Sequence, residues 1–157
     1  MRLLLDTHTL LWAMRNHPML SPKAQSAIST LENESFISVV SIWEAATKFR
    51  NGKLPEAAPL IQDPARVLSL MRFTALPLQL EHARLAGSLV SAHKDPFDRM
   101  LVAQAITEPL RLMTADHQLE PYSDLWALHL TGVERITLIL LGWGPAGPSG
   151  ALAFHSA

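Results

Sequence analysis

Four acidic residues stand where charge could be gathered for chemistry. Asp6 ends the apolar run RLLL, and Glu44 lies in SIWEAATKFR one helical turn after a β-branched run. Asp98 is the second acid of DPFDRMLVAQA, in the first turn of a later helix, and Asp116 follows RLMTA. Taken singly, each has an ordinary structural use. Asp6 would cap a helix from Thr7, and Ser41-x-x-Glu44 has capping-box spacing. Asp98 suits the positive end of a helix dipole, and Asp116 would cap a turn at His117. Taken together, all four fall just after a strand or at a helix mouth, which independent caps need not do. Four carboxylates in a small space repel one another and raise each other's pKa. A divalent cation removes that conflict, and Mg²⁺ and Mn²⁺ prefer oxygen ligands and retained waters. Such a centre can activate water and stabilise charge at phosphorus.

Other side chains surround this set. Asp95 reads as an N-cap before Pro96, with contact to a second metal or its water as the alternative. His8, His93 and His117 each lie close to one acid, but no H-E-x-x-H spacing supports zinc. Lys48, Arg50 and Lys53 form either a solvated face or a set of phosphate contacts. Arg99 reads equally as a structural ion-pair partner. Trp12 and Trp43 are either core residues or surface anchors for a partner.

Strands alternating with helices must position these acids. Arg2–Leu5 and Leu110–Thr114 are short apolar runs of the kind found in buried parallel strands, and Ser35–Val40 is β-branched. Phe73–Leu78 is expected as an edge strand limited by Pro77. Helices are expected over Thr7–Arg15, from Ser21-Pro22 to about Leu31, and over Ser41–Arg50, closed by Asn51-Gly52. Pro55, Pro59 and Pro64 mark a loose connection, with a short helix over Pro64–Met71. Further helices are expected over Glu81–Ala92 and from Pro96 to about Thr107. Phe97, Leu101 and Ala105 make the buried stripe of the last. The alternation predicts an α/β domain with a mainly parallel sheet, in which ligands bind beyond the carboxyl ends of the strands.

A chain of 157 residues suits one domain with a substantial core. Thirteen Lys and Arg against fourteen Asp and Glu give a formal net charge of −1, so no large nonspecific pull towards nucleic acid or acidic membrane is written in the total. The absence of cysteine excludes a disulfide, a thiolate metal site and a cysteine nucleophile. No signal peptide or membrane-length apolar run is visible, so a soluble, cytoplasmic protein is expected.

LLLDTHTLLW, SIWEAATKFRNGKL, HKDPFDRMLVAQA and LMTADHQLEPY occur in order at plausible spacing. Together they resemble a PIN domain, specifically the VapC-like toxins of bacterial toxin–antitoxin pairs, from about Arg2 to Trp126. The resemblance implies a three-layer α/β/α sandwich and an endoribonuclease that uses Mg²⁺ or Mn²⁺. It makes Asp6, Glu44, Asp98 and Asp116 the catalytic acids and metal ligands. Thr114 stands at a position where the family commonly carries Ser or Thr near the metal site, and it joins Asp95 as a possible auxiliary residue. It further implies a cognate antitoxin, an RNA substrate and a homodimer. A catalytically silent protein that binds an antitoxin or RNA is the alternative, while a DxDxT phosphatase fails at His8 and a receiver domain lacks its acid pair.

Glu108-Pro109 departs from the Gly that relatives often carry before the fourth strand. The PIN domain is expected over 1–128, with Ser123–Leu128 supplying a closing strand, and an extension follows over 129–157. Ile136–Ala157 contains no Asp, Glu, Lys or Arg. Within it Ile136–Leu141 is a candidate strand, and Gly142–Gly150 is expected to be irregular.

Overall fold

The computed structural model describes residues 1–89, 94–119 and 139–140. The strands are β1 (Arg2–Leu5), β2 (Glu34–Ser38), β3 (Phe73–Leu76), β4 (Arg111–Thr114) and β5 (Ile139–Leu140). They pair in parallel in the order β3-β2-β1-β4-β5. The helices are α1 (Thr7–Arg15), α2 (Pro22–Ser29), α3 (Val39–Arg50), α4 (Ala58–Gln62), α5 (Pro64–Met71), α6 (Leu80–Ser88) and α7 (Pro96–Thr107). Short 3₁₀ turns cover Pro55–Ala57 and His117–Leu119.

Period-two alternation along the strands divides the core into two layers. Leu3, Leu5, Ile37, Phe73 and Met113 face one side, where they pack with Leu10, Leu11, Ala24, Ala45, Leu60 and Leu68 from α1 to α5. Leu4, Leu76 and Leu112 face the other, against Leu101, Val102, Ala105 and Ile106 of α7, with Phe36 and Leu85 beside them. Helices therefore cover both faces of the sheet, giving the expected α/β/α sandwich. Leu3, Leu4 and Leu5 are wholly buried. Truncating any one to Ala removes about 2–5 kcal/mol of stability, so β1 is a rigid support for the residue that follows it.

Local signals explain most helix starts. Ser21 Oγ accepts the Ala24 N–H with Pro22 in the first turn, and Asp63 Oδ1 accepts the Arg66 N–H with Pro64 in the first turn. The helix expected from Ser41 begins two residues earlier. Ser38 ends β2, and its Oγ accepts the Val40 N–H, so Val39 and Val40 are helical in spite of their β-branched side chains. Tertiary placement overrides strand propensity there. The connection at Pro55 and Pro59 is more ordered than expected, forming a 3₁₀ turn and α4.

β3 lies at one edge of the sheet, as expected, and β5 pairs with β4 beyond the other side of β1. β5 falls within the candidate strand Ile136–Leu141. The helix expected over Glu81–Ala92 ends earlier, at Ser88, where Leu89 leaves the helical conformation as its C-cap. The expected strand over Ser123–Leu128, His93 and the Gly142–Gly150 segment lie outside the described residues. Among the described residues, no helix is long and apolar enough to cross a membrane.

Candidate active site

The strand order reverses between β1 and β4, the place where open parallel sheets bind ligands. Asp6 sits at this point. Its N–H donates to the Met113 carbonyl at 3.1 Å, which carries the β1–β4 ladder one residue past Leu5. Its Oδ1 accepts the Thr9 N–H at 2.6 Å and so caps α1. The cap and the site are therefore compatible readings of the same residue. Asp6 is only 7% exposed. Burial pushes its carboxyl above the usual carboxylate range, against the lowering influence of hydrogen bonds from Thr114 and Thr9 and of the nearby His8 charge.

Thr114 stands beside two of the four acids. Its hydroxyl accepts the Asp116 backbone N–H at 3.0 Å and is near enough to the Asp6 carboxyl to oppose the rise of its pKa. Asp116, half-buried, uses Oδ1 to accept the Gln118 N–H at 2.8 Å, so it caps the following turn as the sequence suggested.

Glu44 does not belong to a capping box, because Ser41 lies inside α3 and Ser38 is the cap. Instead Glu44 is buried within α3, with both carboxylate oxygens engaged. Thr7 Oγ1 donates to Oε2 at 2.5 Å, and the Lys48 ammonium binds Oε1. Burial draws the Lys48 ammonium down. Its hydrogen bond to Glu44 and the charges of Glu44, Asp95 and Asp98 outweigh this and hold it above its ordinary value.

Those last two acids belong to the mouth of α7. Asp95 Oδ1 accepts the Phe97 N–H at 2.8 Å, which is the expected N-cap. Asp98, half-buried in the first turn, adds its charge to the field at Lys48. Trp43 on α3 meets Phe97 edge-on with ring centroids 4.9 Å apart, bringing α3 and the mouth of α7 together.

The basic cluster separates. Lys48 is turned onto Glu44, whereas Arg50 and Lys53 are exposed. Arg99 donates to the Ala86 carbonyl at 2.8 and 3.1 Å and to the Leu89 carbonyl at 2.8 Å, so it closes the end of α6. Trp12 packs against the core, while Trp43 is 61% exposed. His8 and His117 are exposed. Thr7 is the site residue the sequence reading missed. The available signal was a hydroxyl directly after the first acid. Lys48 pairs with Glu44, which stands in the favourable i,i+4 order before it, and not with the basic neighbours Arg50 and Lys53.

All the carboxylates offer oxygen, the donor preferred by Mg²⁺ and Mn²⁺. The buried hydroxyl of Ser41, one turn before Glu44, has no hydrogen-bond partner among the described residues. Glu44 already holds a cation, the Lys48 ammonium. Among the described residues, no group of three or more His, Asp or Glu side chains converges closely enough to hold a metal by itself. Mg²⁺ commonly binds through one or two carboxylates and several waters, so the donor set suits such an ion without a closed protein cage.

The PIN domain family model matches residues 3–125. A search of curated proteins gave no match. Among solved structures, the chain is similar to VapBC2 from Rickettsia felis bound to a DNA fragment from their promoter. The TM-score is 0.55 at 16% identity, with 78% of this chain and 93% of that chain covered.

Proposed function

The chain belongs to the PIN domain family, and from that premise we propose that it is a Mg²⁺- or Mn²⁺-dependent endoribonuclease toxin neutralised by a cognate antitoxin. The observation that carries this reading is the reversal of strand order between β1 and β4, where Asp6 ends β1 and the buried Thr114 ends β4 with its hydroxyl accepting the Asp116 N–H. Asp6, Glu44, Asp98 and Asp116 are the residues that would hold the ion. When bound, the ion supplies activation of a water and stabilisation of charge on the phosphodiester.

The remaining work falls to the chain itself. Thr7 fixes one Glu44 oxygen, and Thr114 accepts the Asp116 N–H beside Asp6. Asp95 sets where α7 begins and thereby where Asp98 stands. The exposed Arg50 and Lys53 are suited to hold RNA phosphates beside the acids. The fold shared with the toxin–antitoxin complex from Rickettsia felis supports an antitoxin partner. A homodimer and a cytoplasmic location complete the proposal.

The test is cleavage of RNA by purified protein with Mg²⁺ or Mn²⁺, compared with Asp6→Asn and Asp98→Asn. Wild-type cleavage that requires the ion and vanishes in both variants is expected, and full activity in either variant refutes the assignment. One observation favours a silent binding protein as the second reading: Lys48 already neutralises Glu44. Tight antitoxin binding with no cleavage of any RNA tested, at any metal concentration, decides for it.

A further inference from the structure

We propose that Lys48 is a tethered counter-cation of the acidic edge, which holds Glu44 in the metal-free protein and gives that carboxylate up when a divalent ion binds. The inference rests on the metal-site reading above. Glu44 has two oxygens, and both are taken. Thr7 occupies Oε2 and the Lys48 ammonium occupies Oε1. An ion that uses Glu44 must therefore share an oxygen with a proton donor already in place, and of the two donors only the ammonium carries a charge that opposes the ion's.

The two partners differ in their freedom to leave. The Glu44 side chain is 7% exposed, whereas that of Lys48 is 32% exposed. The lysine stem is flexible and its ammonium is readily hydrated, so it can turn outward while Glu44 stays. The ammonium also lies in the fields of Asp95 and Asp98 at the mouth of α7. One lysine thus answers the charge of three acids contributed by α3 and α7. A divalent ion at the same edge makes this service redundant and repels the ammonium.

The experiment is calorimetric titration of Mn²⁺, without RNA, into wild type, Lys48→Met, Glu44→Gln and the double variant. An opposite charge at such range changes a carboxylate's affinity for a cation by about tenfold or more. Lys48→Met is therefore expected to bind Mn²⁺ about tenfold more tightly than wild type. Adding Lys48→Met to Glu44→Gln should give little of that gain. A purely structural role for Lys48 predicts weaker binding instead. Wild-type binding with equal or weaker binding by Lys48→Met overturns the exchange while leaving the metal site standing. Absence of Mn²⁺ binding in every variant overturns both.

A second measurement needs no variant to fold. The lysine ammonium nitrogen signal of Lys48 should be protected in metal-free wild type and lost to solvent exchange on saturation with Mg²⁺. A signal that persists unchanged at saturation overturns the proposal.

Discussion

Thr7→Val isolates the hydrogen bond that links the first acid's helix to the second acid. The hydroxyl is 2.5 Å from Glu44 Oε2, and Thr7 is 2% exposed, so water cannot readily replace it. Valine keeps the β-branched shape and removes the donor. A hydrogen bond to a charged group contributes roughly 1.5–3 kcal/mol, against roughly 0.5–1.5 for a neutral pair. The variant should therefore lose about 2 kcal/mol. For a domain of this size each kcal/mol moves the melting temperature by about 2–4 °C, which gives a fall of about 4–8 °C.

The charge dependence is the sharper part of this expectation. In a Glu44→Gln background the same substitution should cost about 1 kcal/mol less, because the acceptor is neutral. The assay is urea unfolding of the four proteins in a double-mutant cycle, without metal. Divalent-ion affinity should fall together with stability in Thr7→Val, since Glu44 loses the contact that orients it. A stability change within about 0.5 kcal/mol of zero, or an equal loss in both backgrounds, refutes the placement of Thr7 on Glu44.

Two further outcomes follow from the acids. Burial raises the Asp6 pKa above its unfolded value, so its neutral form is the one folding favours. That contribution is fully present below the unfolded pKa and is lost as pH rises through the folded value. Without metal, Asp6→Asn should thus be more stable than wild type at neutral pH, with the difference closing in acid, as thermal melts from pH 3 to 7.5 would record; a difference independent of pH counts against buried charge as its origin. Asp95→Ala should lose about 1 kcal/mol as a missing N-cap yet retain cleavage at low temperature, whereas Asp98→Asn should keep its stability and lose cleavage. Loss of cleavage by folded Asp95→Ala would move Asp95 into the ligand set.

The fold was legible wherever local chemistry and burial agree. Leu3–Leu5 are apolar, short and wholly buried, and the proline-led helix starts at Pro22, Pro64 and Pro96 carry their caps in the sequence. Reading failed at Val39-Val40, where β-branched residues continue the pattern of a strand that has already ended at Ser38. That error propagated, because starting α3 at Ser41 made Glu44 look like part of a capping box. The candidate site was legible as a list of acids but not as a set of contacts. Nothing in the spacing of Thr7 and Glu44 announces a hydrogen bond across thirty-seven positions. Lys48 likewise fitted a basic cluster with Arg50 and Lys53, and only its side-chain direction assigns it to the acids.

Among the described residues, hydroxyls and the Lys48 ammonium stand between the acids of this edge. Thr114 accepts the Asp116 N–H beside Asp6 on the β1–β4 side, Thr7 links α1 to Glu44 on α3, and Lys48 reaches from Glu44 into the field of Asp95 and Asp98. Each connector solves a local problem of a buried charge, since a buried carboxylate is costly unless it is paired and hydrogen-bonded. Hydroxyl groups do this without adding charge, so they can remain in place whatever ion is present. The ammonium cannot, because its positive charge opposes that of the ion. The division between permanent and exchangeable partners is therefore set by chemistry, and the exchangeable partner is the most exposed of these connectors.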